Sequence, residues 1–143
     1  EQLGRPVLLW DNYPVNDGAA RSNFVYTSKL AARSPDLGAY ISGHLCNPMN
    51  QGLLSLPALS GLAELYGSGH FDNEALCRLL GPLTWERLSR DGQVFEEQGL
   101  SGMGQQQRRQ LAVEYGALPG AAALEVAQWL RGEYSFDPAC LTT

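Results

Sequence analysis

Asp and Asn side chains, with one Trp, are concentrated in two short blocks near the amino terminus. The first block, Trp10 to Asp17, reads W-D-N-Y-P-V-N-D, and the second, Gly43 to Gln51, reads G-H-L-C-N-P-M-N-Q and contains Asn47. A carboxylate accepts hydrogen bonds from two hydroxyls, a carboxamide donates and accepts, and an indole offers an apolar wall. The blocks therefore predict a site for a polyhydroxylated ring. Asn and Asp are equally typical of Asx-turns in a tight loop, and composition alone leaves that alternative open.

Each block lies at or after a short apolar run that predicts a β-strand. Pro6 to Trp10 is apolar and stops at a stretch crowded with turn formers, which predicts a buried strand. Gly43 to Cys46 predicts a second strand, and residues 24–30 are a weaker extended candidate. Side chains at the carboxyl ends of parallel barrel strands converge on one mouth. We therefore expect the two blocks to meet at one edge of a sheet.

The chain is predicted to be helical beyond residue 50. Apolar residues recur at three-and-four spacing between positions 54 and 66, and further segments carry helix start and stop signals. We predict helices over 73–80 with Asp72 as N-cap, from Thr84 as N-cap to Gly99, over 105–115 before Gly116, and over 121–131 before Gly132. A shorter helix is predicted over 35–41 with Ser34 as its N-cap. These helices predict a small multihelical bundle.

Length, composition and charge restrict the class of protein. The chain has 143 residues, of which 44% are apolar and 17% charged, as expected of a globular domain. Its net charge is -5, and no basic cluster is longer than a pair, which argues against a nucleic-acid partner. No apolar stretch approaches the roughly 18 residues needed to span a bilayer, so no membrane partner is expected.

The cysteines and histidines do not form a metal-binding pattern. Cys46, Cys77 and Cys140 lie far apart, without a C-x-x-C pair or a histidine at metal-ligand spacing. We predict buried thiols at these positions and ordinary structural roles for His44 and His70. The sequence also lacks a nucleophile elbow and a phosphate-binding loop in its proper context. We therefore predict no cofactor and no metal site.

The two polar blocks resemble glycoside hydrolase family 84. These are β-N-acetylglucosaminidases that include bacterial O-GlcNAcase-like and hyaluronidase-like enzymes. The resemblance covers Leu8 to Asp17 and Ser42 to Gln51, and the first of these blocks is long and unusual in composition. The helices that follow match the family's post-catalytic helical domain in order and spacing. The resemblance implies a catalytic (β/α)8 barrel, which needs about 250 residues, so this chain would supply only its last strands.

The expected fold is therefore mainly α, a multihelical bundle preceded by the last one or two strands of an incomplete (β/α)8 barrel. Residues 1–50 would be the remnant of the carboxy-terminal end of the barrel, and residues 51–143 the helical post-catalytic domain. The chain starts at Glu1 without a Met, which is typical of a cut or engineered boundary. Barrel strands are buried on both faces. We therefore expect residues 1–50 to be partly disordered, repacked against the helices, or buried in a homodimer.

The resemblance also implies roles for individual residues. The implied substrate-binding residues are Trp10, Asn12, Asp17 and Asn47. Asp17 would reach the outer hydroxyls of an N-acetylglucosamine unit, and Trp10 would form an aromatic wall near the acetamido pocket. Asp11 and Asn16 lie in the same block and are assigned loop-shaping roles. The implied partner is a glycan or glycoprotein that contains N-acetylglucosamine.

The chemistry implied by the resemblance is retaining, substrate-assisted hydrolysis. The acetamido oxygen of the substrate attacks the anomeric carbon, while one carboxylate orients the acetamide and another acts as general acid and then base. In the family these carboxylates are neighbouring Asp residues on an earlier barrel strand, and this sequence has no Asp-Asp pair. Its adjacent acids, Glu96 and Glu97, are predicted to lie on a solvated helix face. We therefore predict no catalytic residue here and no hydrolysis by this chain alone.

Two alternatives remain open from the sequence. The chain could be a non-catalytic helical interaction module that binds a protein or glycan partner. It could also associate with another chain that supplies the rest of the barrel.

Overall fold

The computed structural model describes residues 4–30, 33–67 and 72–134 of the chain. A two-stranded parallel sheet is formed by β1 (Val7–Asp11) and β2 (Ile41–Cys46). The helices of the described residues are α1 (Gly18–Arg21), α2 (Leu56–Tyr66), α3 (Asn73–Leu80), α4 (Pro82–Glu97), α5 (Gly99–Gly102), α6 (Gln105–Gly116) and α7 (Ala121–Arg131). The predicted mainly helical architecture is thereby confirmed. None of the helices in these ranges is long and apolar enough to cross a bilayer.

The helix boundaries follow local sequence signals, with one exception. Asp72 caps α3 by accepting a hydrogen bond from its first turn at 2.9 Å, and Gly132 ends α7 in the left-handed conformation, at φ 83°. The predicted N-cap Thr84 is wrong, because α4 already begins at Pro82, directly after Gly81. Proline is favoured in the first helical turn, since its fixed φ suits the helix and its missing N–H would have no partner there. Thr84 is instead buried inside the helix.

The segment between the two strands differs from its prediction. Residues 24–30 form no strand, and Leu30 N donates to Ala58 O of α2 at 3.1 Å. The loop passes so close to α2 that a Cβ atom added at Gly61 would lie 2.7 Å from Leu30 N. The predicted helix over 35–41 is a 3-10 turn, Pro35–Ala39, so β2 begins earlier than predicted.

The hydrophobic core joins the helices to the first part of the chain. The Phe95 ring centroid lies 6.0 Å from that of Tyr115 and 5.1 Å from that of Trp129, and all three side chains are buried. Val25 and Met49, which precede the helical region, belong to the same buried cluster. The loop and strand region is therefore packed onto the helices.

Among the described residues, one face of the sheet is covered and the other is open. Side chains alternate between the faces of a strand, so Leu8 and Trp10 share one face of β1 and Leu45 lies opposite Trp10 on β2. These three side chains are 59%, 61% and 47% exposed, and we call them the open sheet face. Asp11 and His44 lie on the other, covered face. The predicted strand β1 is confirmed. Its predicted burial is wrong for the open sheet face, because among the described residues only the α2 side of the sheet is packed.

Candidate functional site

The carboxyl ends of β1 and β2 bring the two polar blocks to one edge of the sheet. Asp11 pairs with Cys46, and Asn47 N then donates to Asp11 O at 2.9 Å, which extends the ladder beyond the end of β2. Asn12 and Asn47 are the first residues after their strands. They are therefore neighbours along this edge, which we call the carboxyl edge.

Trp10 and Asn12 form an exposed pair on the carboxyl edge. Trp10 Nε1 donates to Asn12 Oδ1 at 2.9 Å, and Asn12 O accepts from Arg21 Nη1 at 3.0 Å. The indole face remains open to solvent because Trp10 belongs to the open sheet face. An apolar wall beside a carboxamide can contact the C–H face of a sugar ring and one of its hydroxyls together.

Asp17 and Asn47 complete the predicted set at more sheltered positions. Asp17 precedes α1 as its N-cap residue, although its side chain makes no capping hydrogen bond. Both residues are half-buried. Asn47 lies on the carboxyl edge, whereas Asp17 lies at the far end of the loop that follows β1.

A buried asparagine, Asn16, joins the two polar blocks. Its Oδ1 accepts from Asn50 N at 2.9 Å, and its Nδ2 donates to Phe24 O at 2.9 Å and to Gln51 Oε1 at 2.6 Å. Asn16 and Gln51 are both 0% exposed. The contacts agree with the loop-shaping role predicted for Asn16. Gln51 stands in the second block, but its sequence context gave it no role.

The covered face carries a polar network behind the carboxyl edge. Arg33 Nη2 donates to Asp11 Oδ2 at 2.7 Å, and His44 Nε2 lies 3.5 Å from the same oxygen. His44 Nδ1 lies 2.8 Å from the Tyr66 hydroxyl of α2. The Asp11 and His44 side chains are almost fully buried, at 9% and 3% exposure. The network links both strands to α2, which agrees with the structural role predicted for His44. Asp11, for which a loop-shaping role is predicted, is instead the last residue of β1 and bonds to Arg33 on the covered face.

The cysteines are less buried than predicted. Cys46 and Cys77 are half-buried, while Cys140 and His70 lie outside the described residues. Burial and the nearby Asp11 carboxylate raise the pKa of the Cys46 thiol. The thiol therefore stays protonated at neutral pH and is a poor nucleophile. Within the described ranges, no group of three or more His, Cys, Asp and Glu side chains is arranged to hold a metal ion.

Glu96 does not lie on a solvated face, which corrects the prediction. Its carboxylate accepts hydrogen bonds from the backbone N–H and the hydroxyl of both Thr27 and Ser28, the hydroxyl contacts measuring 2.9 and 2.7 Å. Glu97, in contrast, is exposed as predicted. Gly92 leaves space for the loop, since a Cβ atom there would lie 2.4 Å from Thr27 Oγ1. No local signal marks Glu96, because its partners lie 69 and 68 residues away.

The four predicted residues do not line the cavity behind the sheet. That cavity, of about 280 Å³, lies between β2 and α2 and is lined by Gly38, Ile41, Ser42, Gly43, His44, Leu62 and Tyr66. The predicted residues lie instead along the carboxyl edge and the loop after β1. Trp10 and Asn12 are exposed and Asp17 and Asn47 are half-buried, so the arrangement is open to solvent, and we call it the half-site.

The polar blocks and the whole sheet lie within a region that matches a known family. A family model described as beta-N-acetylglucosaminidase matches residues 1–74, just over half of the chain. The chain belongs to this family. The resemblance to glycoside hydrolase family 84 is thereby confirmed, and the four predicted residues all lie inside the matched region of this β-N-acetylglucosaminidase family member.

A solved structure extends the likeness to the helices. The structure of a Thermobaculum terrenum O-GlcNAc hydrolase mutant matches with a TM-score of 0.58 and 23% sequence identity. The match covers 91% of this chain and 36% of that chain, so the family member spans about a third of its structural neighbour. At this identity the likeness shows the fold. No curated protein matches the chain.

Proposed function

We propose that this chain is part of a retaining, substrate-assisted β-N-acetylglucosaminidase, to which it contributes sugar-binding side chains and helical support. The observation that carries the proposal is the meeting of both polar blocks at the carboxyl edge, where Asn47 N bonds to Asp11 O. Family membership supports the substrate class. The substrate would be a glycan or glycoprotein that contains N-acetylglucosamine.

Each site residue has a distinct chemical task in this proposal. Trp10 forms the apolar wall beside the acetamido group, and Asn12 lies next to it to hydrogen-bond the sugar. Asp17 accepts hydrogen bonds from the outer hydroxyls, because a carboxylate can bind two of them at once. Asn47 adds a further polar contact from the second block.

The chain would position the sugar for chemistry that other residues perform. The acetamido oxygen attacks the anomeric carbon, so the N-acetylglucosamine unit must be held with that group against the reacting centre. In the family, neighbouring Asp residues orient the acetamide and transfer the proton. This sequence has no Asp-Asp pair that could correspond to them. We therefore assign binding to this chain and no catalytic residue.

The open sheet face supports the idea of an incomplete barrel. A parallel pair of strands with one apolar face exposed needs further strands or another covering element. We propose that β1 and β2 are the last strands of a (β/α)8 barrel, with residues 1–50 as its remnant and residues 51–143 as the post-catalytic helical domain. The covering element would be the rest of the barrel. A homodimer formed through the open sheet face is the alternative.

Sugar binding tests the proposal directly. N-acetylglucosamine is titrated into the chain while the NMR signals of Trp10, Asn12 and Asn47 are followed. We expect saturable shifts confined to the carboxyl edge and to the loop that carries Asp17, and weaker shifts with glucose, which lacks the acetamido group. Asp17→Asn should weaken the binding, because the amide replaces a carboxylate oxygen that accepts from hydroxyls.

Matched controls separate binding from charge and from catalysis. Glu97→Gln removes the same charge from an exposed helix position and should leave the affinity unchanged. The chain should not cleave a chromogenic N-acetylglucosaminide. If the chain cleaves this substrate and Asp17→Ala abolishes the cleavage, the prediction that the chain holds no catalytic carboxylate is wrong. Absence of any saturable shift would contradict a preformed half-site.

A further inference from the structure

We propose that Asn16 is a positioning residue that fixes the two sugar-binding loops relative to each other. The inference rests on the proposed function, since those loops carry Asn12, Asp17 and Asn47. Asn16 itself is 0% exposed. It therefore acts on a sugar only through its neighbours.

The Asn16 side chain connects three segments of the chain. Its Oδ1 accepts from Asn50 N at 2.9 Å, which ties the loop after β1 to the loop after β2. Its Nδ2 donates to Phe24 O at 2.9 Å and to Gln51 Oε1 at 2.6 Å. The carboxamide thus uses both of its N–H donors and its acceptor. A side chain that only donates or only accepts hydrogen bonds could not make all three of these bonds.

The Asn16 hydrogen bonds lie beyond the end of the sheet ladder, where the strands no longer hold the two loops together. The sheet ladder ends with the bond from Asn47 N to Asp11 O. Asn16 restores the connection immediately before Asp17, and Asn50 lies a short way beyond Asn47. A site is tighter when its loops are ordered before the ligand arrives, because less conformational freedom is lost on binding. Asn16 therefore contributes to affinity without touching the sugar.

Removing the Asn16 carboxamide should weaken sugar binding. Asn16→Ala leaves Asn50 N–H and Phe24 O without their buried partner. In the full 143-residue chain, we expect affinity for N-acetylglucosamine to fall by about tenfold or more. The Asn50 amide should also exchange with solvent faster. Both quantities are measured by NMR on the same samples.

The conservative variant should give partial rescue. Asn16→Asp keeps an oxygen for Asn50 N, and its second oxygen would face Gln51. Gln51 Nε2 makes no hydrogen bond to the described residues, so this amide can turn to donate. Phe24 O would still lose its donor. We therefore expect an affinity between those of the native chain and Asn16→Ala.

A core substitution controls for a general loss of stability. Val126 is 0% exposed in α7, and Val126→Ala should destabilise the fold without changing either loop. Measured at a temperature where both variants are folded, Val126→Ala should bind the sugar like the native chain. Equal weakening by Val126→Ala and Asn16→Ala would overturn the positioning role, as would native affinity in Asn16→Ala.

The measurements distinguish this inference from the proposed function. If the native chain gives no saturable shift, only the proposed sugar binding is contradicted. The solvent exchange rate of the Asn50 amide then still tests whether Asn16 connects the two loops. Unchanged Asn50 exchange in Asn16→Ala would then overturn the positioning role, and faster exchange would support it. If the native chain binds and Asn16→Ala binds equally well, only the positioning role fails.

Discussion

At the scale of single residues, Glu96 links its own helix, α4, to the loop that follows α1. The carboxylate receives backbone and hydroxyl donors from both Thr27 and Ser28. Hydrogen bonds to a charged acceptor contribute more than those between neutral groups. The loop conformation around Val25, a fully buried core residue, therefore depends on one charged side chain.

Glu96→Gln should lower the free energy of unfolding by about 1–3 kcal/mol. The amide keeps one oxygen but presents an NH₂ group to the donors of Thr27 and Ser28, so part of the cluster loses its acceptor. Urea unfolding followed by tryptophan fluorescence gives the value. The neighbouring exposed variant Glu97→Gln should stay within about 0.5 kcal/mol of the native chain. Equal losses in the two variants would contradict a special role for Glu96.

At the scale of elements, the sheet is asymmetric. Its covered face is tied to α2 through His44 and Tyr66, while Leu8, Trp10 and Leu45 on the open sheet face meet solvent. Burial of an apolar side chain contributes to stability in proportion to the area removed from water. The open sheet face therefore adds little to the stability of this chain.

Leu45→Ala should change the free energy of unfolding by less than about 1 kcal/mol. Leu54→Ala is the matched substitution at a residue that is 0% exposed, and it should cost about 2–5 kcal/mol because it leaves a cavity in the core. Denaturant unfolding at several protein concentrations gives both values. A large, concentration-dependent loss in Leu45→Ala would favour the homodimer over an open face.

The elements also show what the sequence can predict. The predicted helix ends at Asp72 and Gly132 are confirmed, because capping depends on neighbouring residues. The carboxyl edge could be predicted because both strands end in polar blocks. The bond from Asn16 to Gln51 spans 35 residues, and Glu96 bonds to Thr27 across 69. Such pairings depend on how elements pack. No local pattern encodes them.

At the scale of the whole molecule, the core holds a tyrosine that resists ionisation. Tyr115 is 0% exposed, and its hydroxyl lies 3.1 Å from Asp91 Oδ2. Burial and the Asp91 carboxylate raise the pKa of Tyr115 far above its ordinary value of 10.0. Burial, Glu96 and Tyr26 raise the pKa of Tyr13 in the same direction. The folded chain therefore keeps protons that the unfolded chain releases in alkaline solution.

Stability should fall as the pH rises above about 10, since the unfolded state then binds fewer protons than the folded state. Each such tyrosine adds a slope that approaches about 1.4 kcal/mol per pH unit. Tyr115→Phe keeps the ring and removes the titrating group, so its alkaline slope should be shallower by up to that amount. The measurement is denaturant unfolding at several pH values between neutrality and the alkaline range.

The exposed variant Leu124→Ala provides the control, because it changes no titratable group and should keep the native slope. Identical slopes in Tyr115→Phe and the native chain would contradict the assignment of the alkaline transition to Tyr115.

The two-stranded sheet has a further consequence for the behaviour of the chain in concentrated solution. Among the described residues, β1 and β2 pair only with each other, so each has an outer edge whose backbone groups lack a neighbouring strand. Unpaired strand edges next to exposed apolar side chains are templates for intermolecular pairing. Aggregates of this chain should therefore grow by strand addition at the sheet, while the helices remain folded. A soluble preparation is best obtained by blocking those edges with a lysine or proline substitution.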